Sequence, residues 1–287
     1  MLRYYNCIYI PFYVIFHLHI TKNIRKFNRK RLMIKFASLL LLLIGVFTSN
    51  SVQSRPETLK DLDSLIVNIG VYEDHFSPPS YEDNLDSLHT FFEIVNKLNY
   101  TRGKMLVVSE IGILEFMHGN YDKAQDNLSK ALLIAEHLQD SSLIGSYYNY
   151  LALLQSTNRN DDKAEKLFRK SLSHLDPKID HAEIGSCYSG LGRIYFNRNE
   201  LDIALKMFIK SYEFNLNSDH DFDLYNPKID LGLTYFKLGK FELAIENFNE
   251  ALIIAEQHKY LMAIIYVKSK IGTSYYEMGD HSIADSY

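Results

Sequence analysis

Few residues in this chain stand at spacings that could do chemistry. Beyond residue 56 the histidines are His75, His89, His118, His137, His174, His181, His220, His258 and His281. No two of these lie four apart, so no helix face offers the paired imidazoles of a metal site. They fall mainly at helix ends and turns, where an imidazole complements the helix dipole. Asp219-His220-Asp221-Phe222-Asp223 alternates carboxylates as the start of a calcium loop does. Its sixth and twelfth positions are Leu224 and Asp230 instead of Gly and Glu, so it reads as a solvated turn between helices. Cys187 is expected as a small buried hydrophobe, and the only other cysteine is Cys7. Dinucleotide, phosphate-loop, zinc-protease and nucleophile-elbow motifs are absent from the sequence. The expectation is a protein with no catalytic residue, no metal and no cofactor.

The elements that carry these residues repeat. Ala124, Ala164, Ala204, Ala244 and Ala284 stand 40 residues apart. Twelve residues before each is a tiny residue: Gly112, Ala152, Gly192, Gly232 and Gly272. Four residues after the first four alanines comes a large apolar one: Leu128, Phe168, Phe208 and Phe248. Three further on stand Ala131, Ser171, Ser211 and Ala251. Within a copy, as in DNLSKALLIAEHL, apolar residues recur at helical spacing. Turn signals such as His118-Gly119-Asn120 and Asn197-Arg198-Asn199 divide the copies. Each copy is therefore two helices, A and B, of about 16–18 residues and about 25 Å each. A helix-interior Gly costs about 1 kcal/mol. Its recurrence at one register predicts a close A–B crossing, with the large B-helix residue filling the groove beside it.

In the clearest copy Leu191, Gly192, Tyr195, Ala204, Phe208 and Ser211 resemble the L-G-x-x-Y and A-x-x-x-F-x-x-A of the tetratricopeptide repeat family. The resemblance covers roughly residues 101–287. It departs in a 40-residue period, where 34 is usual, and in Glu115 and Gln155, which replace the helix-A tyrosine in the first two copies. It implies an all-α fold, a right-handed α-α superhelix of antiparallel helix pairs. It further implies a concave groove lined by A helices and, for long-period arrays, a bacterial signalling context. By that geometry the groove would present Phe116, Asn149, Arg193, Phe196, Leu233, Phe236, Thr273 and Tyr276 to a protein or peptide ligand. The same aromatics could instead pack between adjacent repeats. The Lys, Asn and Arg of the family's two-carboxylate clamp are missing from matching positions.

The array does not account for the whole chain. Residues 1–56 hold nine cations and no Asp or Glu, leaving 22 cations against 35 anions in 57–287. An acidic body of that kind repels phosphate backbones, so nucleic-acid binding through it is not expected. Phe36–Phe47 is an apolar run of about 12 residues, too short to span a bilayer and suited to a signal peptide. Met33 makes a natural start for it, with Val52-Gln53-Ser54 at the cleavage position. The expected organisation is a doubtful upstream extension at 1–32, a signal peptide at 33–54, and a degenerate helix pair capping the array at 55–98. Four full repeats and a truncated fifth then fill 99–287. Because the fifth B helix stops just after Ala284, the chain is expected to be part of a longer protein. Two functions follow as expectations: an exported, non-enzymatic scaffold, or the sensory part of a signalling protein with a membrane helix and a kinase or DNA-binding domain further on.

Overall fold

The computed structural model describes residues 62–64, 66–67, 81–218 and 221–287, without the side chains of 221 and 222. The extension, the signal peptide and most of the first expected helix lie outside these residues, as do Asp219 and His220. Every regular element among the described residues is helical. None of these helices is long and apolar enough to cross a membrane.

The helices are α1 (Tyr81–Lys97), α2 (Thr101–Met117), α3 (Tyr121–Leu138), α4 (Ser141–Thr157), α5 (Asp161–Leu172) and α6 (His181–Asn197). They continue with α7 (Leu201–Asn215), a 3₁₀ turn (Asp221–Leu224), α8 (Tyr225–Lys237), α9 (Phe241–Gln257), α10 (Leu261–Glu277) and α11 (His281–Ala284). A helices are α2, α4, α6, α8 and α10; the B helix of each pair follows it. Two shorten against expectation. α5 stops at Leu172, five residues ahead of Pro177, whose ring cannot continue a helix. α8 opens only at Tyr225, and Pro227 sits in its first turn, where a missing N–H is harmless.

The turns explain themselves at the backbone. Each A helix ends in a left-handed residue: Gly119, Arg159, Asn199, Gly239 and Gly279, with φ between 61° and 89°. The next amide reaches back five residues, as Asn120 N–H does to the Glu115 carbonyl at 2.9 Å. That bond satisfies a helix-end carbonyl and reverses the chain in the fewest residues.

The described residues fall into two compact units that divide after Leu138. In the first, Leu88, Phe91 and Val95 of α1 are buried. The Tyr100 hydroxyl donates to both Asp63 oxygens, at 2.9 and 2.8 Å, and Arg102 pairs with the same carboxylate at 3.3 Å. A Cβ on Gly112 would lie 2.9 Å from the Leu128 side chain.

The second unit repeats this crossing with larger knobs. A Cβ on Gly192 would lie 2.4 Å from the Phe208 ring, and one on Gly232 2.5 Å from Phe248. Contacts that short are excluded, so glycine is what lets each ring lie flat on the A helix. Ala164, Ala204 and Ala244 of the B helices are fully buried, as is Ala124 in the first unit. A Cβ on Gly272 would lie 3.2 Å from the Tyr287 Cβ and 3.3 Å from the Ala284 carbonyl oxygen.

A second crossing lies two turns back along each A helix. There Gly145 faces Leu175 and Gly185 faces Asn215, at 2.5 and 2.1 Å from an added Cβ. One pair later the sizes reverse: buried Tyr225 holds the glycine register and Ala255 the opposing one. The volume is conserved while the residue that supplies it changes sides.

Candidate functional site

The columns expected to face a ligand divide by where they stand along the array. Phe116 and Asn149 are buried, 5% and 4% exposed, which removes them from any open groove. The Asn149 amide donates to the Ser186 hydroxyl of α6 at 2.8 Å. Ser189, at the same register one repeat on, donates to Asp230 of α8 at 2.9 Å. Arg193 pairs with the same carboxylate at 3.4 Å. Phe196 lies 4.5 Å beneath the Lys237 ammonium. These side chains hold one A helix to the next, and α6 and α8 run parallel because both ends of the joint advance together. Family geometry alone had pointed them at solvent. The missed signal was the polar partner 37–41 residues on, in the next copy.

Arg193 and Phe196 are half-buried. Leu233 and Phe236 are half-buried. Thr273 is exposed, and Tyr276 is 60% exposed with its ring 4.7 Å from that of His281. On the same helix Leu261, Met262 and Ile265 are 67%, 71% and 54% exposed.

Charge inside the second unit is used for joints. Burial raises the Asp230 pKa, which the Arg193 charge and the Ser189 hydrogen bond counter. Glu165 of α5 accepts from Arg169 at 2.8 Å, from Tyr195 at 2.7 Å and from Arg198 at 2.8 Å. Burial opposes its ionisation, yet these hydrogen bonds hold its carboxyl down at about 2. Tyr195, the tyrosine of the L-G-x-x-Y signature, thus ties α6 to the preceding B helix. Where that tyrosine is missing, Glu115 and Gln155 are buried instead. They accept from Asn120 at 2.7 Å and Asn160 at 3.2 Å, so the departure is a local polar pair across the turn.

The A–B contact next to the glycine crossing varies in the same way. The Lys170 ammonium lies over the Tyr148 ring at 4.2 Å and bonds its hydroxyl. Lys210 lies over Tyr188 at 5.1 Å. One pair later the A helix carries the cation and the B helix the anion: Lys228 to Glu250 at 2.8 Å.

Burial pushes the Cys187 thiol up to about 12, and its sulfur lies 3.1 Å from the Ser171 hydroxyl. That environment suppresses a thiolate. Asp223 is buried, not solvated as the turn reading has it. Its carboxylate bonds Ser218 and its carbonyl accepts from Asn215 at 3.1 Å. Among the described residues no group of three His, Cys, Asp or Glu is placed to hold a metal.

Tetratricopeptide repeat models match residues 184–215, which span α6 and α7, and 228–258, which span α8 and α9. No curated protein matches the sequence. The fold is shared with BtubC (BKLC) from P. vanneervenii, at 19% identity and a TM-score of 0.61 over 72% of this chain and 88% of that one. Apo RapI matches at 14% identity and a TM-score of 0.61, over 89% of this chain and 68% of its own. A signal-transduction ATPase with a tetratricopeptide repeat sensor, from Pyrococcus horikoshii, matches at 19% and 0.59, over 91% and 39%. At these identities the likeness is one of fold.

Proposed function

We propose that this chain, whose residues 184–215 and 228–258 match tetratricopeptide repeat models, is a non-catalytic, exported scaffold that binds a protein or peptide along its A helices. The two tetratricopeptide repeat matches over α6–α9 support this reading, since such repeats generally bind protein or peptide partners. Leu233 and Phe236 of α8, both half-buried, are the candidate contacts. Export is supported by the acid-free basic head and the apolar run Phe36–Phe47. Sequencing the N-terminus of the secreted protein tests it: a mature start near Ser54 is expected, and a start at Met1 refutes it.

A photo-crosslinking residue at Phe236 of the full chain tests the scaffold. It should capture one defined protein set that the same residue at Ile253, on the exposed face of α9, does not. Identical capture at both positions would remove the groove reading.

A second reading draws on the Pyrococcus horikoshii protein, in which such repeats are a sensor joined to an ATPase. Here the array would sense and a further domain would respond. The coding frame beyond the codon for Tyr287 discriminates, since a membrane helix followed by a kinase or DNA-binding domain favours sensing.

A further inference from the structure

We infer that the edge of the second unit where B helices turn into A helices rests on a phospholipid bilayer, inserting Ile179, Leu216 and Leu261 into its interface.

The edge follows from how the helices reverse. Phe168 meets Gly190 and Ser171 meets Cys187, so α5 and α6 run antiparallel. Gly192 meets Phe208 and Gly185 meets Asn215, so α6 and α7 do too. Ser189 with Asp230 and Phe196 with Lys237 set α8 parallel to α6. Gly232 with Phe248 and Lys228 with Glu250 set α9 against α8. The C-terminal ends of α5, α7 and α9 therefore share one end of the unit. Each of the turns that begin there carries an exposed aliphatic residue: Ile179 is 69% exposed, Leu216 54% and Leu261 67%. The registers of Leu261 and Leu216 are open in earlier pairs as well, at Ser141 and Asp176. Turns at the opposite end carry Asn158-Arg159-Asn160, Asn197-Arg198-Asn199 and Gly239-Lys240.

Single side chains on successive tips enclose no pocket, and a folded partner gains little area from them. A fluid interface takes each one separately. Their neighbours suit that depth. Lys178 precedes Ile179, and Lys259 and Tyr260 precede Leu261. Lysine stems and tyrosine rings settle at the level of the headgroups, with the ammonium toward phosphate. The acids of the α5–α6 turn are engaged by the turn and by α4. Asp176 accepts from the Lys178 amide at 2.9 Å, and Asp180 accepts from the Asp176 amide at 2.7 Å and from the Ser142 hydroxyl at 2.9 Å. The 22 cations against 35 anions of residues 57–287 favour a zwitterionic surface over an anionic one. Leu233 and Phe236 lie in the second half of α8, toward the opposite end, so the scaffold's contacts stay open.

The chain has no tryptophan, so Ile179→Trp, Leu216→Trp and Leu261→Trp each place one reporter on the edge. The full chain is mixed with phosphatidylcholine vesicles, plain or brominated in the acyl chains. Each reporter should shift to shorter wavelength and be quenched by the brominated lipid. Ile253→Trp, on the exposed face of α9, should do neither. Ile179→Asp with Leu261→Asp, placed in the Leu216→Trp chain, should raise the lipid needed for half the shift at least about tenfold, the scale of one buried aliphatic side chain. Insertion depth is read, not attachment, so the apolar run Phe36–Phe47 does not confound the result. Circular dichroism identifies any variant that misfolds, and the remaining reporters then decide. Reporters that stay unshifted, or quenching that is equal at Ile253, overturn the inference. A shift that grows with protein concentration in the absence of lipid gives the edge to a second copy and also overturns it.

Discussion

At the scale of the residue, the phenylalanine knobs and the joint charges are the positions most sensitive to change. Phe208 lies flat on Gly192 with 1% exposure, so Phe208→Ala leaves a ring-sized cavity. A loss of about 3–5 kcal/mol is expected in chemical denaturation. Gly192→Leu should separate α6 from α7 and lower the melting temperature at least as far. Glu165 makes a pH prediction. Its folded pKa, about 2, lies below the ordinary glutamate value. Its contribution is therefore complete above the unfolded pKa and is lost as pH falls from about 5 towards 2. Glu165→Gln should lower the melting temperature at pH 7 by more than at pH 3; an equal loss at both would contradict the assignment. Removing Arg193 leaves Asp230 buried with only Ser189 and solvent, and Arg193→Ala should cost about 3 kcal/mol.

At the scale of the element, turns and helix pairs obey separate rules. Arg159 holds a left-handed conformation, φ 61°, where three other copies have glycine. Arg159→Gly should therefore stabilise by about 0.5–1 kcal/mol in a thermal melt. The Tyr–Lys contact of α4 with α5 becomes Lys–Glu in α8 with α9. Glu250→Lys alone opposes two cations, whereas Lys228→Tyr with Glu250→Lys rebuilds the earlier pairing. A double-mutant cycle should show a coupling of about 1 kcal/mol or more. Helix pairs, turn positions and the small-residue crossings at Gly112, Ala152, Gly192, Gly232 and Gly272 were legible because they recur at one register and period analysis amplifies what recurs. The shortened α5 and the 3₁₀ entry to α8 were not, since each depends on one proline in one copy.

At the scale of the whole molecule, the repeat model locates a helix within its pair more surely than it locates what faces solvent. Asn149 and Phe116 occupied columns that family geometry turns outward, yet both are buried. For Asn149 the difference lies in Ser186, a partner that only the neighbouring copy supplies. Thr273 and Tyr276 of α10 are exposed.

The size reversal at the second crossing bears on how such a chain is made. Helices this alike invite mispairing while the polypeptide emerges, a characteristic hazard of tandem arrays. Gly145 opposite Ala255 would leave a hole, and Tyr225 opposite Leu175 would collide. The α8–α9 pair thus rejects the second helix of α4–α5, and the side of the crossing that carries the bulk keeps those two pairs apart.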